Sequence, residues 1–143
     1  MIKKDILTAI EKTIGECGAS SAVESFLDYD GGSGILKCGE FQIPIKEKKV
    51  FICGFGKCAA GMASGALKKL GEKIESGILL SYENSSIGGK ISILKSSHPL
   101  PDANTLAASA EMVEFVKAVP EKDLLICLVS GGGSSFFEIP APG

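Results

Sequence analysis

No apolar run in this sequence approaches the roughly 20 residues that a membrane-spanning helix needs. The N-terminus, MIKKDILTAIEKTIGECG, imitates a signal peptide for a few residues only. Asp5, Glu11 and Glu16 interrupt any apolar segment, and no cleavage-like region succeeds them. A cytoplasmic location without a membrane partner is therefore expected. Positive charge is scarce too: the net charge is −2, and no basic cluster is denser than Lys46, Lys48 and Lys49. This excludes a surface built to coat nucleic acid, and the lysine run reads as a solvated turn ahead of a strand. There is a single histidine, His98, and the five cysteines (Cys17, Cys38, Cys53, Cys58, Cys127) are odd in number and lack a CxxC pair. A disulfide framework or a zinc site is not supported. Buried, reduced thiols are expected instead, and no metal cluster can be read.

What remains is a chain able to bury a core. At 143 residues it has the length of about one domain, with 45% apolar residues and a mean hydropathy of +0.26. Ile6, Ile10 and Ile14 lie four apart, which predicts an amphipathic helix from about Lys3 to Glu16. A second short helix is predicted from Ser20 to Leu27, then a glycine-rich turn from Asp30 to Gly34. Ile35–Cys38 and Phe41–Ile45 flank Gly39-Glu40, a connection suited to a β-hairpin, and Pro44 assigns the second strand to an edge. Residues 1–48 carry no chemistry and read as a helix and hairpin packing onto a core formed by residues 49–143.

The chain is organised around Lys49 to Leu70, KVFICGFGKCAAGMASGALKKL. The apolar run Val50–Cys53 predicts a strand, Gly54-Phe55-Gly56 a tight turn, and the small residues after Lys57 a helix lying close to a sheet. Unpaired N–H groups at such a helix start attract anions, and a lysine there is disfavoured unless an anion compensates it. Gly77–Tyr82 predicts the next strand, so the two should be parallel. After the polar loop ENSSIGGK come a third strand, Ile91–Lys95, and the stiff segment Ser96-Ser97-His98-Pro99-Leu100-Pro101-Asp102. Asp102 is placed to cap a helix whose Leu106, Ala110 and Val113 face inward, joined by Val116 or Phe115. Asp123–Val129, DLLICLV, is the most apolar strand and reads as central and covered on both faces. It leads into Ser130-Gly131-Gly132-Gly133-Ser134-Ser135, where three glycines and flanking serines suit an anion or phosphate cradle. Together these elements predict an α/β fold: a Rossmann-like, mostly parallel sheet over residues 49–143 flanked by helices, preceded by the N-terminal helix and hairpin.

The chemistry narrows by elimination. A Walker A loop needs a glycine where Phe51 stands and Ser or Thr where Cys58 follows Lys57. Gly54, Gly56 and Ala59 do fit the dinucleotide fingerprint GxGxxA, with Glu83 placed as a ribose-binding acid. His98 suits a structural hydrogen bond or a site equally, and Asp102 suits a helix cap better than a catalytic acid. HPLPD and SGGGSS should lie at one end of the sheet. GFGK joins them only if the loop from Glu83 to Lys90 runs back along the sheet; a simple hairpin, which the residues themselves favour, would put it at the opposite end.

Three segments, GFGKCAAGMASGAL, SSHPLPDANTLAAS and LLICLVSGGGSSFFEIPAPG, resemble the class II glycerate 2-kinase family in order and spacing, over nearly the whole chain. The resemblance implies transfer of the ATP γ-phosphate to the 2-hydroxyl of D-glycerate with Mg2+. It implies Lys57 as the catalytic lysine and Ser130 to Ser135 as the phosphate-side loop, with Gly54 and Gly56 beside it. His98 and Asp102 fall near the same cleft on the substrate side. It also implies that the three motifs converge. Family members are longer, with a second domain that supplies further catalytic residues including an arginine. The chain is accordingly expected to be an N-terminal portion with negligible activity alone, completed by the missing domain or a partner chain and inclined to self-association. The competing expectations are an NAD(P)-dependent, hydroxypyruvate reductase-type oxidoreductase and a non-enzymatic sugar-phosphate-binding domain.

Overall fold

The computed structural model describes Ile6, residues 18–82 and residues 84–140. The predicted N-terminal helix lies outside these apart from Ile6, which is helical, and Glu83 and Cys17 lie outside them as well. The first described helix, α1 (Ala19–Phe26), ends where a short strand begins. β1 (Leu27–Asp30), β2 (Ile35–Cys38) and β3 (Phe41–Pro44) form an antiparallel sheet in the order β1-β2-β3. The predicted hairpin is β2–β3, with Pro44 on an edge strand. The Asp30 carboxylate shapes the preceding turn by accepting hydrogen bonds from the backbone N–H groups of Gly32 (2.9 Å) and Ser33 (3.3 Å). β1 is an addition to the prediction: four residues, two of them aspartates, give too little alternation to read as a strand.

The second sheet holds β4 (Val50–Phe55), β5 (Ile74–Ser81), β6 (Ser85–Ile87), β7 (Ile91–Lys95) and β8 (Leu124–Val129), in the order β6-β7-β5-β4-β8. All neighbours are parallel except β6 and β7. Between the strands lie α2 (Ala59–Leu70), a 3-10 turn (Gly71–Lys73), α3 (Ala103–Ala118) and, after β8, the short α4 (Gly133–Phe136). This is the expected α/β, mostly parallel architecture. Ala59, Ala63 and Ala66 of α2 pack with Ile52, Leu79 and Ile91 on one face, and Ala108 and Met112 of α3 pack with Cys53, Ile78 and Leu80 on the other. The small residues of α2 also admit α1: a Cβ on Gly65 would lie 2.4 Å from the Ser20 carbonyl oxygen.

Four expectations need correction. The loop after β5 does make a hairpin, but between β6 and β7, so β7 returns parallel to β5 and the residue-based preference for an antiparallel third strand fails. The reason is that eight residues suffice for an extra short strand that reverses the chain first. β8 is an edge strand among the described residues, not a central one, and Cys127 and Val129 are exposed. Apolar composition reports what a strand is able to bury, not where it sits in the sheet. In α3 the buried residues are Thr105, Ala108, Ser109 and Met112, whereas Leu106 is 42% exposed and Ala110 is exposed. Two hydroxyls occupy the inner stripe because each has a polar partner there: Thr105 Oγ1 accepts from Ser97 N (3.1 Å), and Ser109 Oγ accepts from Glu138 N (3.0 Å). Finally, Cys53 is buried as expected, but Cys58 and Cys127 are exposed and Cys38 is only half-buried.

Candidate active site

The connections out of β4, β5, β7 and β8 all emerge at the carboxyl end of the parallel sheet. From β4 the chain steps outward to β5 and then β7, and returns to β8 on the other side of β4. Strand order therefore reverses between β4 and β8, the crevice in which open α/β sheets usually bind ligands. GFGK leaves β4 and SGGGSS leaves β8, so the two loops flank that crevice directly.

Hydrogen bonds lock the two loops together. Lys57 N donates to Gly131 O (2.9 Å), Ser130 N to Phe55 O (3.1 Å) and Cys58 N to Ser130 Oγ (2.9 Å). Gly56 lies at φ +115°, and a Cβ there would be 2.5 Å from both Ser130 O and Ser130 Oγ. This glycine is thus needed for loop-to-loop contact. The N–H groups of Lys57, Cys58 and Ala59 are already used, that of Ala59 by Gly56 O (3.2 Å). By contrast, the N–H groups of Gly131, Gly132, Gly133 and Ser134 make no hydrogen bond among the described residues. SGGGSS thus contributes open backbone donors, while GFGK contributes the charge. The Lys57 side chain is exposed and forms no ion pair among the described residues.

The third segment closes the crevice from the β7 side. Ser96, at the end of β7, is buried, and its hydroxyl donates to Phe136 O (2.7 Å). Ser135 Oγ donates to Pro99 O (2.8 Å), next to the cis His98–Pro99 peptide bond. The His98 ring stacks on Phe136 at 5.4 Å, and Tyr82 meets both rings edge-on, at 6.2 Å from His98 and 5.0 Å from Phe136. A Cβ on Gly132 would lie 3.0 Å from His98 Nε2 and 3.3 Å from Lys57 Cε. Lys57, His98 and the glycine loop are therefore brought together, as are Ser130 and Ser135. Gly54 is set back within β4, packed against Leu128 and Leu79. Sequence reasoning misses Tyr82 and Phe136; Tyr82 directly follows β5, and Phe136 ends the short α4 that follows the glycine loop, which is the available signal.

The Asp102 carboxylate is engaged by the start of α3. Its Oδ1 accepts from Asn104 N (2.9 Å) and Thr105 N (3.1 Å), and Thr105 Oγ1 accepts from Asp102 N (3.3 Å), which makes a capping box on α3. The Ser97 hydroxyl first, then the N–H of Thr105, lower its carboxyl from 3.8 to about 2. A carboxyl lowered on folding contributes stability above its unfolded value, and that stability is lost as pH falls through the folded value. Thermal melts should therefore show stability falling between roughly pH 4 and pH 2. Asp102→Asn should be less stable at neutral pH and show a shallower fall over that window; an unchanged slope would remove Asp102 from the acid response. Glu24, Asp30 and Glu72 are also lowered and leave a residual slope.

Among the described residues, no helix is long and apolar enough to cross a membrane and no group of three or more His, Cys, Asp or Glu could hold a metal ion. Comparison with known proteins supplies the context. The chain is 32% identical to the glycerate 2-kinase of Picrophilus torridus over 145 residues, covering 99% of this chain and 32% of that protein. It is 37% identical to the D-glycerate 2-kinase of Thermotoga maritima over 97 residues, 66% of this chain and 23% of that one. The crystal structure of the Thermotoga maritima glycerate kinase superposes with a TM-score of 0.72 at 28% identity, covering 98% of this chain and 31% of the other. The chain thus spans about a third or less of the length of these relatives. A family model described as a domain of unknown function, DUF4147, matches residues 5–143, and the chain belongs to that family, corresponding to the N-terminal portion of glycerate 2-kinases.

Proposed function

We propose that this chain forms the phosphate-binding wall of an ATP-dependent glycerate 2-kinase, which moves the γ-phosphoryl group of ATP to the 2-hydroxyl of D-glycerate and leaves ADP and 2-phosphoglycerate. The observation that carries this reading is the placement of the unpaired Lys57 ammonium beside the open N–H groups of Gly131–Ser134, at the β4/β8 crevice. Phosphoryl transfer asks a protein mainly to position its substrates and to offset charge on the phosphoryl oxygens. Four backbone donors and one ammonium meet that need, with Ser134 and Ser130 at the margin. His98, held by Phe136 and Tyr82 with Nε2 toward Gly132, is suited to orient the acceptor by a hydrogen bond. Asp102 is committed to its helix cap and takes no part.

The described residues offer no ready-made cage for a resident magnesium ion. No cluster of three candidate ligands occurs among them, and the carboxylate of Asp102 is engaged by the α3 backbone. In this reading Mg2+ arrives as part of the Mg–ATP substrate. The sequence also contains no arginine, the side chain best shaped to clamp a transferring phosphate. Among the described residues Lys57 is the cation placed at the crevice, and in this reading further charge comes from polypeptide across the cleft. The expected behaviour of the 143-residue chain is ATP binding with negligible turnover. Calorimetric titration with Mg–ATP and a coupled assay for ADP release check both parts. Absence of ATP binding would overturn the reading, and turnover by the chain alone would overturn the need for a facing wall.

The dinucleotide alternative loses its physical basis at the same place. Its second glycine normally lets a pyrophosphate approach the backbone. Here the open side of Gly56 is filled by Ser130. NADH fluorescence should accordingly stay unquenched at concentrations where ATP binds.

A further inference from the structure

Below the two loops, β4 and β8 set two thiols side by side. Cys53 and Cys127 are direct Cα partners in the parallel ladder, so their side chains leave the same face of the sheet. Both line one cavity of about 320 Å³, walled by Phe55, Met112, Val113, Val116, Leu125 and Phe137. Cys53 is 4% exposed, whereas Cys127 stands exposed on the edge strand. Burial first, then the neighbouring Cys127, pushes the Cys53 thiol up to about 12. Cys53 therefore stays protonated at neutral pH and is shielded on its own, while its partner is open to reagents.

The strand geometry decides what such a pair can hold. A disulfide needs Cβ atoms about 3.8 Å apart. In-register neighbours on strands about 4.8 Å apart instead suit a bridge with one atom between the sulfurs. The cavity around them is apolar, so the bridging centre should carry an apolar substituent.

We propose that Cys53 and Cys127 form a bidentate thiol site for a trivalent arsenical, with the two sulfurs on arsenic and an aryl group in the Phe55–Phe137 cavity. With an aryl arsenoxide the reaction balances without any oxidant. Two As–S bonds form, the two S–H protons pass to the arsenic-bound oxygen, and that oxygen leaves as one water. Arsenic stays trivalent throughout. The exposed Cys127 reacts first, and Cys53 closes the ring as the second step.

Phenylarsine oxide is the probe. The full chain should retain one equivalent in excess 2-mercaptoethanol and release it to 2,3-dimercaptopropanol, because only a chelating dithiol outcompetes a chelated arsenic. Iodoacetamide followed by peptide mapping should show Cys127 protected in the loaded protein and Cys58 still alkylated. Cys53→Ala and Cys127→Ala should each lose the monothiol-resistant label, whereas Cys58→Ala keeps it. Release from the wild-type protein by 2-mercaptoethanol, or unprotected Cys127, would overturn the proposal. Retention of the label by Cys127→Ala would do the same. The wild-type alkylation map decides the matter even where a variant fails to fold.

Discussion

Lys57→Ala is expected to weaken ATP binding by roughly ten- to a hundredfold, the usual range for losing one charge-assisted contact to an anion. The loss should be largest for ATP and smaller for ADP and AMP, because the ammonium lies at the phosphate end of the crevice. Folding should be untouched: the side chain is exposed, carries no ion pair among the described residues, and holds its loop through its backbone N–H. A urea midpoint equal to wild type alongside reduced affinity by calorimetry would separate binding from stability. Lys57→Arg should recover part of the affinity, since the charge returns but the larger planar head must fit against Gly132 and His98. Equal ATP affinity in wild type and Lys57→Ala would remove the lysine from the site.

Gly56→Ala should be strongly damaging. The residue lies at φ +115°, and the new carbon would sit 2.5 Å from both oxygens of Ser130. Backbone strain at such a φ and forced overpacking together cost about 2–6 kcal/mol. That is a large share of the roughly 5–15 kcal/mol that stabilises a typical domain. The urea midpoint should drop sharply with its m-value unchanged. Displacing Ser130 would also break its bond from Cys58 N and loosen the bond from Lys57 N to Gly131 O, so affinity for ATP should fall even where the variant remains folded. Gly131→Ala is the matched control. A Cβ there meets nothing within 4 Å and φ is not positive, so stability should barely change. Similar losses in the two variants would mean that the loop contact at Gly56 is not what its glycine protects.

The two variants differ in how visible their reasons are in the sequence. Lys57 stands out because a lysine before a helix start is unfavourable without an anion, a purely local reason. Gly56 stands out as well, but as a residue that would let a ligand approach. Its neighbour proves to be Ser130. The same exchange of roles affects the backbone donors. The N–H groups of Lys57, Cys58 and Ala59, at the start of α2, are consumed by the second loop and by the turn itself, while those of residues 131–134 make no hydrogen bond among the described residues. His98 illustrates the remaining gap. Its stacking on Phe136 and its edge contact with Tyr82 join segments that come after three different strands.

The sequence by itself determined the elements and their chemistry. Apolar runs placed the strands other than β1 and β6, small residues placed α2, Gly39-Glu40 placed the hairpin, Asp102 announced its cap, and three separated motifs pointed to one phosphate-handling family. These arise from interactions between residues close along the chain, where period and turn chemistry act directly. Tertiary structure alone decided the extra strand β6, the edge position of β8, and the locking of the GFGK loop onto Ser130 and Gly131. The last two depend on contacts far apart along the chain, such as that between Cys58 and Ser130 across 72 residues, whose geometry no local pattern encodes.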